Sequence, residues 1–157
     1  MNYYDEISEG YDELHREEQE KKLEIIKKHL KVRKTDRLLD VGCGSGLSSG
    51  FDCQVIGIDP SFKLLEKSFT NKVHGYGEYL PFKDDSFDIV VSITALQNFE
   101  DIELGLSEMK RVGMDRFVIS FLRKSDKREK IMGLVMKYFT VEKVIDEEKD
   151  VILFLSI

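Results

Sequence analysis

The chain has 157 residues, 41% hydrophobic and 34% charged, a balance that fits one soluble globular core and excludes a disordered or fibrous chain. No apolar run reaches the ~18–20 residues of a membrane helix, and a net charge of −6 argues against indiscriminate nucleic-acid binding. Two cysteines without C-x-x-C spacing leave neither a disulfide framework nor a readable zinc site, so a cytoplasmic setting with no membrane and no metal is expected.

Residues 1–20 are acidic and rich in Tyr, whereas residues 21–37 carry Lys21, Lys22, Lys27, Lys28, Lys31, Arg33, Lys34 and Arg37. Leu14, Leu23, Ile26 and Leu30 recur at helical spacing. They predict an amphipathic helix, or a pair of helices, over 13–30, its lysines on a solvated face. An apolar strand at 37–41 then runs into the string L-L-D-V-G-C-G-S-G at residues 38–46, and a second strand at 55–59 ends in Asp59-Pro60. Glycine accepts positive φ and has no Cβ, so Gly42, Gly44 and Gly46 can bend the chain and admit a ligand against the backbone. Asp59, at the end of the next strand, suits the paired hydroxyls of a ribose. Asp40, just ahead of the glycines, favours a ligand carrying an ammonium group and repels a pyrophosphate. The dinucleotide pattern G-x-G-x-x-G fails at Leu47.

Only residues 47–53 separate these glycines from the next strand, and Gly50 limits them to about one turn of helix. That face of the sheet is expected to lose cover, giving a less enclosed site or room for a partner. Further on, the pattern predicts a helix over 62–69 capped by Asp59 or Ser61, a brief strand at 73–75 and a strand at 88–93. A helix over 101–112, a strand at 116–122 and a helix over 128–138 follow. Apolar runs at 140–145 and 151–157 flank an acidic turn and read as a β-hairpin. Alternating strands and helices predict an α/β fold: a doubly wound, mostly parallel sheet closed by a C-terminal antiparallel hairpin. One domain over 1–157 is expected, helical at 1–35 with its α/β core at 36–157. Ligands of such sheets sit beyond the carboxyl ends of the strands, where residues 42–46, Asp59, Gly77 and Ser92 all fall.

The string at 38–46, followed by Asp59, resembles the first motif of the class I S-adenosylmethionine-dependent methyltransferases. Gly77-Glu78-Tyr79-Leu80-Pro81-Phe82, ending in Ser86-Phe87-Asp88, is similar to the same family's G-D-A-E-x-L-P-F-x-x-x-S-F-D loop. The likeness covers residues 36–122. It implies a seven-stranded Rossmann-like sheet and S-adenosylmethionine as cofactor. It also implies a cofactor site drawn from Asp40, Gly42, Cys43, Gly44, Gly46, Asp59, Pro60, Gly77, Glu78 and Ser92. Tyr76 stands where the family usually has its adenine-binding Asp. The N-terminal stretch looks like the family's Y-D-x-x-x-x-x-Y-D lid, in which Tyr11 either closes over the cofactor or anchors the first helix.

Methyl transfer from a sulfonium needs near-attack geometry, and a ring-nitrogen acceptor needs no dedicated acid or base, so no catalytic residue is assigned. The segment after the 88–93 strand lacks the N/D-P-P-Y/F signature of exocyclic-amine methylation. Neither cysteine falls in a substrate-facing segment, which argues against covalent attack on a pyrimidine. Gln97 and Asn98 can hydrogen-bond a base edge or an amide, while Phe99 reads as a packing residue. Arg123-Lys124-Ser125-Asp126-Lys127-Arg128 follows the 116–122 strand, which makes Lys124 and Arg128 candidates for gripping phosphates at the rim. An RNA base is therefore the expected acceptor. A small molecule or a protein as acceptor, and a non-catalytic cofactor-binding partner subunit, are the alternatives. L-L-D-V-G-C-G-S-G-L-S-S, P-F-K-D-D-S-F-D and S-I-T-A-L-Q-N-F are also similar to ribosomal-RNA guanine-N7 methyltransferases, which implies a small zinc-binding activator subunit as partner.

Overall fold

The computed structural model describes residues 3–44, 46–66 and 71–157, with the backbone alone for residues 3–15, 47 and 49. Helix α1 (Tyr3–His29) precedes strands β1 (Arg37–Val41) and β2 (Gln54–Asp59), helix α2 (Phe62–Glu66) and strands β3 (Asn71–His74) and β4 (Phe87–Ile93). Helix α3 (Ile102–Val112), strand β5 (Gly113–Leu122), helix α4 (Arg128–Tyr138) and strands β6 (Thr140–Asp146) and β7 (Asp150–Ser156) complete the chain. The seven strands form one sheet in the order β3-β2-β1-β4-β5-β7-β6. The first five are parallel, and β7 runs antiparallel to both β5 and β6. This is the doubly wound sheet with a closing hairpin that the alternation of elements predicts.

Both faces of the sheet are covered, which is why its central strands read as near-continuous apolar runs. On one face Leu106 and Met109 of α3 and Ile131 and Val135 of α4 pack with Leu39, Val41, Val90 and Phe117. On the other, Ile26 of α1 packs with Leu38, Phe51, Val55, Val91 and Ile152. The two-residue alternation of β1 sends Leu39 and Val41 to the first face and Leu38 to the second.

The expected loss of cover between β1 and β2 does not occur. A short 3-10 turn (Leu47–Gly50) replaces a helix there, and α1 lies over it. Phe51 is only 4% exposed. Leu23 of α1 sits so close to Gly50 that an added Cβ would meet Leu23 Cδ2 at 2.9 Å.

Other boundaries shift for local reasons. α1 begins at Tyr3, well before the apolar periodicity that starts near residue 13. β5 begins at Gly113, because exposed Met114 and Asp115 interrupt its apolar run. β3 is Asn71–His74, its polar leading residues hiding it from a hydrophobicity reading. Of the helix expected over 62–69, Phe62–Glu66 is observed, and residues 67–70 lie outside the described ones. Its cap is Ser61, whose Oγ accepts the Leu64 N–H at 3.3 Å. Among the described residues no helix is long and apolar enough to cross a membrane.

Candidate cofactor site

Strand order turns back between β1 and β4, and in open α/β sheets that is where a crevice forms at the carboxyl ends. A cavity of about 280 Å³ opens there. Gly42 and Gly44 form its floor. Asp59, Pro60 and Leu64 line one side, and residues 76–78, 93–95 and 98–100 line the others.

The floor is a turn that only glycine accommodates easily. Gly42, Gly44 and Gly46 have φ of 79°, 53° and 83°. A Cβ added to Gly42 would stand 2.6 Å from the Ala95 Cβ. The turn is fastened to β2, since the N–H groups of Gly42 and Cys43 donate to the Ile58 carbonyl at 2.8 and 3.1 Å. Asp59 accepts the Gly44 N–H on Oδ2 at 2.9 Å and the Ser61 N–H on Oδ1 at 2.8 Å. Its carboxylate is thereby fixed at the cleft wall.

Asp40 does not line the cleft. It lies beneath the glycine turn, 3% exposed, and its Oδ1 has no hydrogen-bond partner among the described residues. Burial pushes its carboxyl up to about 7; the nearby charge of Asp59 adds to the rise, and the Ser48 hydroxyl opposes it. An orphaned buried acceptor is costly until a donor or a cation reaches it. The glycine floor, which a Cβ at Gly42 would fill, and a wall carboxylate suited to two hydroxyls together fit S-adenosylmethionine.

The other expected cofactor residues divide. Pro60, Gly77 and Glu78 line the cleft. Glu78 also has a structural task, its Oε2 accepting the N–H groups of Glu100 and Asp101 at 3.0 and 3.3 Å. Cys43, Gly46 and Ser92 do not line it. The Cys43 thiol is driven upward mainly by burial, with Asp40 and Asp59 adding. Gly46 closes the turn by donating to the Cys43 carbonyl at 2.9 Å. Ser92 Oγ, fully buried, donates to the Val41 carbonyl at 2.9 Å and joins β4 to β1. Tyr11 belongs to α1, and its side chain lies outside the described residues.

On the substrate side, Asn98 lines the cleft and Gln97 does not. Gln97 Nε2 donates to the Thr94 carbonyl at 3.0 Å, while its buried Oε1 has no hydrogen-bond partner among the described residues. Lys124 and Arg128 are exposed between β5 and the first turn of α4. Lys127 ties that segment to the rim, donating from Nζ to the Gln97 carbonyl at 2.9 Å. Phe99 packs as expected. Cβ atoms added to Gly77 and Gly105 would fall 2.5 and 2.4 Å from its ring.

Two residues that carry no assigned role in the sequence shape the cleft wall. Thr94 lines the cleft with φ of 54°, a conformation rare for a β-branched residue. Lys22, expected on a solvated face, is 2% exposed and donates to Thr94 Oγ1 at 2.7 Å. Spacing along the chain gives no sign of this contact, because the two partners come from distant segments.

Residues 39–115 match the family described as Methyltransferase domain. An uncharacterised protein of Methanocaldococcus jannaschii is 30% identical over 167 residues, covering 94% of this chain and 66% of the relative. The chain spans 37% and 56% of two further curated relatives, so it matches only part of their length. Among solved structures, a Thermotoga maritima S-adenosylmethionine-dependent methyltransferase, described as a possible histamine N-methyltransferase, superposes with a TM-score of 0.81. The identity is 18%, over 98% of this chain and 97% of that one. A Haloferax volcanii putative methyltransferase, in complex with the Trm112 methyltransferase activator, gives 0.76 at 16% identity, over 99% of this chain and 98% of that one. At such identities these two structures establish the shared fold.

Proposed function

Since the chain belongs to the class I S-adenosylmethionine-dependent methyltransferase family, we propose that it transfers the methyl group of S-adenosylmethionine to a base in RNA. The supporting observation is the contact between Lys127 Nζ and the Gln97 carbonyl, which sets an exposed cationic segment beside the cleft residue Asn98. Arg123, Lys124, Arg128 and Lys130 surround it, all exposed. In a protein of net charge −6, a local cationic rim grips phosphates next to the site while the rest of the surface repels them.

When bound, S-adenosylmethionine supplies a methyl group activated on a sulfonium. Asp59 would hold the ribose hydroxyls and the Gly77 backbone would border the adenine ring, whereas Asp40 stays out of the cleft, beneath the glycine turn. Asn98 orients the acceptor base by its edge, and Ile93, Leu64 and Phe99 exclude water from the same space. Catalysis on this reading is positioning. A ring nitrogen brings its own lone pair, so no side chain has to take a proton before attack.

The same reading gives the protein a small activator subunit as partner. Support comes from the Haloferax volcanii neighbour, which matches nearly the whole chain and is in complex with such an activator. The deciding experiment is transfer of tritiated methyl from S-adenosylmethionine into total RNA, protein and metabolite fractions, with and without an activator of that type. Label in RNA, raised by the activator, is the expected result. Label confined to the metabolite or the protein fraction would overturn the RNA assignment.

A further inference from the structure

Behind the cleft wall lies a buried polar cluster that contact with the cofactor does not require. Lys22 of α1 donates from Nζ to Thr94 Oγ1 at 2.7 Å and stands 3.4 Å from Asp150 Oδ1. The two charged side chains are 2% and 0% exposed. Thr94 Oγ1 in turn donates to Asp150 Oδ2 at 2.5 Å. The Thr94 N–H donates to Ser120, to its carbonyl at 3.1 Å and to its Oγ at 2.9 Å. A helix before the sheet, the end of β4, the carboxyl-terminal part of β5 and the start of β7 therefore meet around one threonine.

That threonine is also where the cluster touches the cleft. Thr94 holds φ of 54°, which strains a β-branched residue unless its surroundings over-determine it. The next residue, Ala95, carries its Cβ only 2.6 Å from where a Cβ on Gly42 would be. Relaxing Thr94 to an ordinary negative φ would re-aim Ala95 and disturb its packing on the glycine floor. A buried lysine–aspartate pair is also expensive to desolvate, and it rarely stabilises a fold more than apolar residues would. A clamp on a strained backbone accounts for both costs.

We propose that Lys22 is a positioning residue of the cofactor cleft. Its ammonium group, together with Asp150, fixes the Thr94 hydroxyl and holds the backbone in the left-handed turn that seats Ala95 on Gly42. Docking of α1 and assembly of the cleft are then a single event, and cofactor affinity depends on a side chain that touches no cofactor. The inference goes beyond the RNA reading and does not require it.

Lys22→Met alone would strand the buried charge of Asp150 and risk unfolding. The variant to make is Lys22→Met/Asp150→Asn, which removes both charges and keeps their shape. Each variant is tested for folding by thermal melting and for S-adenosylhomocysteine affinity by isothermal titration. The folded pair variant is expected to bind about tenfold more weakly, the effect of one lost hydrogen bond to a charged group. Thr94→Gly supplies the control, because glycine adopts positive φ without restraint. In the Thr94→Gly background, removing the two charges is expected to change affinity less than about twofold, a non-additivity that a merely stabilising ion pair would not produce. Unchanged affinity in the folded pair variant would overturn the proposal. So would a tenfold loss that persists in the Thr94→Gly background.

Discussion

Asp59 and Gly44 are joined across the floor of the cleft: Asp59 Oδ2 accepts the Gly44 N–H at 2.9 Å, while Oδ1 accepts the Ser61 N–H at 2.8 Å. The acid therefore shapes the glycine turn before it meets a ligand. Asp59→Ala removes both this bracing and the acceptor for the ribose. With hydrogen bonds to charged groups worth about 1.5–3 kcal/mol, S-adenosylhomocysteine affinity is expected to fall about 10- to 100-fold. Asp59→Asn keeps one acceptor oxygen and should fall less. Isothermal titration on both variants checks the order, and undiminished binding by Asp59→Ala would remove the ribose assignment.

Asp40 gives the molecule a pH dependence of definite sign. Its carboxyl is pushed from 3.8 up to about 7, mainly by burial. In that window the folded protein keeps a proton that the unfolded chain has released. Stability then falls as pH rises, by up to about 1.4 kcal/mol per pH unit, and levels off above the folded value. Asp36 contributes the opposite slope at lower pH, because its hydrogen bonds from Arg116 hold it below the ordinary carboxyl range. Denaturant melts across the window are expected to show the decline in the native chain and its loss in Asp40→Asn.

The parts of the site legible in the sequence are those whose requirement is local. Gly42, Gly44 and Gly46 announce a positive-φ turn, and Asp59 announces itself by closing an apolar strand. The sheet is legible because apolar runs and helical periods alternate. The unreadable parts depend on pairing between distant segments. Lys22 looks like any other lysine of a basic helix until Asp150 and Thr94 are brought to it. Ser92 falls on an expected strand end, yet its hydroxyl is committed to the Val41 carbonyl of the neighbouring strand. The alternation that places Leu39 and Val41 on one face of β1 sends Asp40 to the other, so its burial follows from strand geometry.

Gly77 serves packing as much as the cofactor. A Cβ there would lie 2.5 Å from Phe99 Cζ and 2.7 Å from Val41 Cγ1, both ordered parts of the core around the cleft. Gly77→Ala is expected to destabilise the protein by about 1–3 kcal/mol, the range for overpacking. Trimming the opposing ring with Phe99→Leu should recover part of that loss in the double variant, although Phe99→Leu alone is destabilising. Thermal melts of the four-member cycle measure the coupling. Strictly additive effects would show that the ring does not press on Gly77.

Lys124 and Arg128 stand exposed beside the segment that Lys127 fastens to the cleft rim. If their cations meet phosphates, each neutralised phosphate adds about 0.7 to the slope of log affinity against log salt for single-stranded RNA. Lys124→Glu/Arg128→Glu is therefore expected to weaken RNA binding and to reduce that slope by roughly 1.4, two contacts' worth. S-adenosylhomocysteine affinity should stay within about twofold of the native value, because neither residue lines the cleft. Fluorescence titrations with a single-stranded RNA at several salt concentrations, run beside calorimetry of the cofactor analogue, separate the two effects. An unchanged salt slope would mean that this segment does not carry the phosphates, and the RNA assignment would lose its supporting surface.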